Sequence, residues 1–203
     1  MNRVISYIDG FNLYFGLKRK VWKRYYWLNI QKLSNNLLSK DQSLITTKYF
    51  TSRIASPPDK VKRQNTFLEA LATLEQLKIF YGKYQMNSQE CKRCGNIWPS
   101  PSEKMTDVNI SVELLSDAFQ DKFDTALLIS GDSDLTGPIK KIHELFQKKR
   151  IVVAFPPETF SFELSKIADA HFTIGRKKLS DSVFDDDVKK NDGFILKRPN
   201  RWV

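Results

Sequence analysis

Short apolar runs rich in β-branched and aromatic residues alternate with helical patterns along almost the whole chain. This alternation restricts the fold more than any other feature. VISYI (4–8), LITTKYF (44–50), IFYGKY (79–84), TALLIS (125–130) and RIVVAF (150–155) read as strands, with HFTI (171–174) a weaker sixth. Between them apolar residues recur every three or four positions, the helical period. The segments are 33–39, 59–78 (Val61, Leu68, Leu71, Leu74, Leu77), 107–120 (Val108, Val112, Leu115, Phe119) and 138–148. Strands separated by helices predict right-handed βαβ units. The expected fold is therefore α/β, with a mostly parallel central sheet of five or six strands and helices on both faces. From about Ser180 the chain turns polar, and the segment 180–203 is expected to pack on the domain as a tail.

Within that frame LLISGDSDL (127–135) is odd, because four core residues lead straight into two carboxylates, Asp132 and Asp134. In an open parallel sheet, ligands collect outside the carboxyl ends of the strands, where the strand order reverses. Asp9 follows the first strand directly, and a strand order such as 3-2-1-4-5 would make the first and fourth strands neighbours. Asp107, after the expected loop SPSEKMT (100–106), begins a helix and could reach the same rim. Two carboxylates ~5 Å apart repel by about 3 kcal/mol at an effective dielectric near 20. Protons or a cation must offset that repulsion. Several acids with no His or Cys nearby favour a hard dication, Mg²⁺ or Mn²⁺.

Each acid also has a structural reading. Asp9 before Gly10 can shape a turn, Asp134 can cap the following helix, and Asp107 suits a helix dipole. Asn12, in D-G-F-N, can bond a bound water or the neighbouring acid, or cap the helix containing Leu13 and Leu17. Asp124 and Asp169 precede strands, so Asp124 should lie on the far side of the sheet, ~20 Å from Asp132.

Lys and Arg number 33 against 23 Asp and Glu, a formal charge of +10 that favours polyanionic partners. Arg53 and Lys83 follow the second and third strands, and Lys104 precedes Asp107, so these three are the cations best placed to meet a phosphate. Lys18 and Arg19 belong to a basic cluster followed by Tyr25, Tyr26 and Trp27, a pattern that can hold single strands by charge and stacking, although a solvated helix end before core aromatics is the favoured reading. No apolar run approaches the ~18 residues that span a bilayer. Asp9 interrupts the first apolar run too early for a secretory signal. A cytoplasmic protein without a membrane partner is expected. Cys91 and Cys94, in CKRCG, have the spacing of half a zinc site but lack a second pair. Two free thiols are the favoured state there, ahead of zinc shared across a dimer.

The stretches YIDGFNLYFGL, EKMTDVNISVELLSDAF and DTALLISGDSDL resemble the NYN-domain family, a branch of the PIN-like metal-dependent nucleases, in its bacterial LabA-like form. RQNTFLEAL (63–71), KKRIVVAFPP (148–157) and the terminal KRPNRW extend the resemblance over nearly the whole chain. It implies a Rossmann-like PIN fold over residues 1–179, with a C-x-x-C loop insertion near 86–102. It also implies an endoribonuclease whose acidic positions are Asp9, Asp107, Asp132 and Asp134 and whose asparagine is Asn12. The implied cofactor is Mg²⁺ or Mn²⁺, and the implied partner is RNA, in single-stranded form. The alternative is a binding or regulatory module of the same fold with little or no turnover, and a homo-oligomer is compatible with either. GDSD also resembles the metal-binding end of HAD-type phosphatases. Those require a second acid two residues after the first, where this chain has Phe11.

Overall fold

A computed structural model describes residues 1–202, with the side chains of Tyr84, Met86, Asn87 and residues 99–103 outside the description. In chain order the strands are β1 (Asn2–Asp9), β2 (Gln42–Thr51), β3 (Leu77–Tyr81), β4 (Lys83–Glu90), β5 (Ile97–Lys104), β6 (Thr125–Ile129), β7 (Arg150–Phe155), β8 (Ala170–Thr173), β9 (Asp187–Lys189) and β10 (Ile195–Lys197). The α-helices are α1 (Gly10–Arg19), α2 (Ile30–Leu37), α3 (Pro58–Leu71), α4 (Thr106–Phe119), α5 (Thr136–Leu145), α6 (Phe162–Ile167) and α7 (Arg176–Ser180).

Six strands form one sheet in the order β3-β2-β1-β6-β7-β8, and every neighbouring pair is parallel. Strand periodicity explains how helices cover both faces, since successive side chains point to opposite sides. Val4, Ile8, Leu127 and Ile129 face one core with Leu13 and Leu17 of α1, Leu33 of α2, Leu68 of α3 and Leu179 of α7. Ile5, Tyr7, Ala126 and Leu128 face the other, with Ile110 and Leu114 of α4, Ile139 of α5 and Leu164 of α6. The chain winds outward from β1 to β3 over the first face, then returns to β6 and winds outward again over the second. The reversal falls between β1 and β6.

Three sequence expectations need correction. The run 79–84 is not one strand. Gly82 donates its N–H to Thr51 O at 2.8 Å at the end of β3, and the chain then leaves the sheet as β4. The expected loop 100–106 and the expected C-x-x-C loop are largely β5 and the tip of an antiparallel hairpin, in which Lys83 pairs with Lys104. The long helix expected over 59–78 stops at Leu71, and the Thr73 hydroxyl donates to Ala70 O at 2.7 Å. Leu74 and Leu77 keep the helical period because they pack on the same core from the turn and from β3.

After α7 the chain crosses back over the first face. Val188 and Leu196 of the β9–β10 pair pack with Trp27 and Ala70. Trp202 sits 6.3 Å from Trp27 and 6.1 Å from Phe67, ring centre to ring centre. Among the described residues, no helix is long and apolar enough to cross a membrane.

Candidate active site

Asp9 is the last residue of β1 and the N-cap of α1, with its Oδ1 accepting the Asn12 N–H at 2.9 Å. It is only 3% exposed, unusual for a carboxylate. The buried Ser130 hydroxyl, just past β6, donates to Asp9 Oδ2 at 3.1 Å and accepts the Asp132 N–H at 3.1 Å. The Asn12 side-chain oxygen accepts the Gly131 N–H at 3.1 Å. Asp132 in turn caps the 3-10 turn Ser133–Leu135, taking the Asp134 N–H on Oδ1 at 3.0 Å.

The ends of β1 and β6 are thus stitched together at the point where the strand order reverses. Two glycines permit the fit. A Cβ on Gly131 would stand 1.9 Å from Thr159 O, and one on Gly10 would stand 2.5 Å from the Tyr49 hydroxyl. No side chain fits at either place.

Electrostatically, Asp9 and Asp132 oppose each other. Burial pushes the Asp9 carboxyl up to about 6 against the lowering effect of its hydrogen bonds, and the Asp132 charge adds to the rise. Tyr49, buried beside Asp9, has its phenol raised by burial first and by the Asp9 charge second.

The structure sorts the expected site residues. Asp9, Asn12 and Asp132 come together, with Ser130 as a fourth member that sequence reasoning passed over. Its signal was its place at the end of a buried strand, one residue before the glycine of SGDSD. Asn12 is not the helix cap. That role belongs to Asp9 itself. Asp107 lies in the first turn of α4, whose Asn109 side chain donates to Tyr81 O at 3.4 Å at the end of β3. It therefore stands on the same rim as Asp9. Asp134 is exposed, with its N–H held by Asp132. Among the described residues, no three carboxylates, thiols or imidazoles lie close enough to hold one ion as a preformed cage. The donors at hand are two carboxylates and a hydroxyl, all hard oxygens. That set suits Mg²⁺ or Mn²⁺, which take one or two carboxylates and keep several waters.

Asp124 and Asp169 sit at the opposite edge, as expected. Asp124 accepts the Arg3 N–H at 2.8 Å at the start of β1, and Asp169 accepts the Ile151 N–H at 2.7 Å at the start of β7.

The cations divide less evenly. Lys83 and Lys104 are exposed at the base of the hairpin, and Arg53 lies over the Tyr81 ring with its centre 4.9 Å away. Arg19 donates to Glu158 O at 2.8 Å, Lys20 pairs with the Glu158 carboxylate at 2.6 Å, and Lys18 lies 5.6 Å from the centre of the Phe15 ring. The stacking platform that Tyr25, Tyr26 and Trp27 could have formed beside Lys18 and Arg19 does not exist. Tyr25 and Trp27 are core, and Tyr26 packs on Tyr14 and Trp202. Exposed rings occur instead at Phe160 and Phe162, just after the Thr159 carbonyl that abuts Gly131.

Two carboxylates, Asp9 and Asp132, therefore meet at the switch point of a parallel α/β sheet, an arrangement consistent with a nuclease-like fold. The NYN-domain model matches residues 3–179, and the chain belongs to the NYN-domain family. A protein of unknown function from Vibrio parahaemolyticus has the same fold, with a TM-score of 0.57 at 16% identity over 90% of this chain and 96% of that one. The chain is also similar to 6-hydroxy-3-succinoylpyridine 3-monooxygenase of Pseudomonas putida, at 26% identity over 69% of this chain and 55% of the relative. It spans about half the length of that curated relative.

Proposed function

We propose that the protein is a divalent-metal-dependent endoribonuclease that hydrolyses RNA phosphodiester bonds in the crevice between β1 and β6. The observation that carries this reading is Asp9, a carboxylate almost wholly removed from water, bonded to Ser130 and close enough to Asp132 to feel its charge. A protein gains nothing in stability by burying an acid beside a second acid. A positively charged ligand gives that arrangement a use. Asp9 and Asp132 would hold Mg²⁺ or Mn²⁺, with Asp107 joining from the rim and Asp134 on the outer side. The metal, when bound, supplies activation of water and stabilisation of charge developing on the phosphoryl group.

The chain's own residues set the geometry. Ser130 fixes the Asp9 carboxylate in one rotamer, and Asn12 holds the β6 loop against α1. Lys83, Lys104 and Arg53 receive the phosphate backbone, while the partly exposed Phe160 and Phe162 rings are placed to contact unstacked bases.

The second reading is a nucleic-acid-binding module of the same fold with little or no turnover. The lack of a preformed three-ligand cage among the described residues favours it. Purified protein incubated with single-stranded RNA and Mn²⁺, beside Asp132→Asn, separates the two. The nuclease reading expects cleavage by the wild type only. Equal cleavage by both preparations defeats it, and RNA binding by both without cleavage supports the module.

A further inference from the structure

The β4–β5 hairpin carries a feature that the acidic crevice does not use. Its two strands pair from Lys83↔Lys104 to Glu90↔Ile97, and the tip is the stretch Cys91-Lys92-Arg93-Cys94-Gly95-Asn96. The tip closes on itself in a tight turn. Cys91 N–H donates to Asn96 O at 2.9 Å, Gly95 N–H donates back to Cys91 O at 2.8 Å, and Gly95 takes φ of 68°, where a side chain would be strained. The turn holds both cysteines within one short hydrogen-bonded loop of the chain. Both cysteines are reduced, with Cys91 half-buried and Cys94 exposed.

Two thiolates on one turn supply half of a tetrahedral zinc site. The same chain cannot supply the rest as thiolate or imidazole. It has no other cysteine, and its two histidines are His143 and His171. His171 lies on β8, the strand at the opposite edge of the sheet from β3, roughly 24 Å away across five strand spacings. His143 is paired with Asp169 at 3.0 Å.

Among the described residues, the extensive packing of β4 and β5 is against each other. A second copy of the chain offers a matching pair of thiols, and two further observations favour it as the source. Ile97 and Trp98, beside the turn, are 64% and 41% exposed and would cover one another. Lys92 and Arg93 give each tip two extra positive charges, so two bare tips repel. A zinc ion with four thiolates carries a net charge of −2 and offsets them.

We propose that Cys91 and Cys94 form half of a tetrathiolate zinc site that a second copy of this chain completes, clamping two hairpins tip to tip around one ion. The arrangement is isologous, as a two-fold dimer requires. Thiol protons leave as the metal enters, so affinity rises with pH.

The test uses the full chain without a metal-binding tag, purified under reducing conditions, with metal content and mass in solution measured together. The expected result is one zinc per two chains in a species of twice the 23.6 kDa chain mass. Cobalt in place of zinc should give the intense sulfur-to-metal absorption and the visible bands of a tetrahedral thiolate site. Chelation, Cys91→Ser or Cys94→Ser should each give metal-free monomer, and the Ser variants should unfold at the same temperature as chelated wild type. Failure to take up zinc overturns the proposal. So does one zinc per monomer, which would mean ligands from Glu90 or water. A dimer that persists in the Cys91→Ser, Cys94→Ser double variant overturns it too. None of these outcomes depends on whether the acidic crevice cleaves RNA.

Discussion

The Gly131 N–H donates to the Asn12 side-chain oxygen at 3.1 Å, a bond between residues 119 positions apart that fastens the first turn of α1 to the loop after β6. It fixes the distance between Asp9, three residues before Asn12, and Asp132, one residue after Gly131. Asn12→Ala would leave the part-buried Gly131 amide without its partner, at about 1–3 kcal/mol. Unfolding by urea should show that loss. Cleavage should fall by more than the loss of folded protein explains, because the two acids would no longer be held in register. Asn12→Asp, which keeps an acceptor at that position, should restore most of the stability. A Asn12→Ala protein with unchanged unfolding and turnover would show that the bond positions nothing.

Asp9 gives a prediction with a definite sign. Burial first, and Asp132 second, raise its carboxyl from 3.8 to about 6. The folded state therefore keeps a proton that the unfolded chain has released. This group's contribution to stability is full below about pH 4 and is lost as pH rises through about 6. At about 1.4 kcal/mol per pH unit, ionised Asp9 costs on the order of 3 kcal/mol at pH 8. Asn caps a helix as well as Asp does. Asp9→Asn should then stabilise the metal-free protein at pH 8 and leave it unchanged at pH 4. Mn²⁺ should stabilise the wild type at pH 8 and do little for the variant. Urea unfolding in the four conditions checks this, and an equal response of both proteins to Mn²⁺ would remove Asp9 from the metal site.

Much of this arrangement was legible because it depends on local pattern. Alternating strands and helices imply a parallel sheet, such a sheet has a reversal point, and Asp9 and Asp132 follow the two strands that meet there. Ser130 was not legible, because a serine at a strand end carries no charge to mark it. Nor was the hairpin. Pro99 and Pro101 read as loop, and a strand pair outside the main sheet can accommodate prolines that a central strand could not. The buried lysine of LITTKYF was hidden by distance. Its acidic partners lie 65 and 69 residues away, and only tertiary packing brings them to it. For the Tyr25–Trp27 aromatics the structure bears out the favoured reading, core residues after a solvated helix end. Their neighbours in sequence are basic, but in space Trp27 packs on Phe67, Phe184 and Trp202, and Tyr26 on Tyr14 and Trp202.

That lysine, Lys48, is 4% exposed. Its ammonium donates to Glu113 at 2.6 Å and to Asp117, and Asp117 also accepts the Tyr7 hydroxyl at 2.7 Å. The cluster sits under the sheet, away from the crevice, and its role is to let α4 dock on β1 and β2. Lys48→Met would leave the Asp117 carboxylate, which is 1% exposed, with only the Tyr7 hydroxyl and the half-exposed Lys122 ammonium at 3.2 Å, at up to about 3–5 kcal/mol. Adding Asp117→Leu should recover a large part of that loss, because the uncompensated charge is then gone. Urea midpoints of wild type, single and double variants check the claim. A double variant less stable than Lys48→Met alone would show that the ion pair, not the stranded charge, dominates.

Lys83 and Lys104 face each other directly across the base of the hairpin, and both are exposed. Like charges in that position repel, so the pair weakens its own strand pairing. A phosphate between them would reverse the sign of that interaction. Arg19 is the contrast, since its guanidinium is already held by the Glu158 carbonyl at 2.8 Å. If RNA runs along the rim, each phosphate contact contributes about 0.7 to the slope of log affinity against log salt for a single strand. Lys83→Ala and Lys104→Ala should each lower the slope by about that amount, and Arg19→Ala should leave it unchanged. Titrations of a labelled single-stranded RNA at several salt concentrations measure all three. A slope that falls with Arg19→Ala and not with the lysine variants would move the path of the strand from the hairpin to α1.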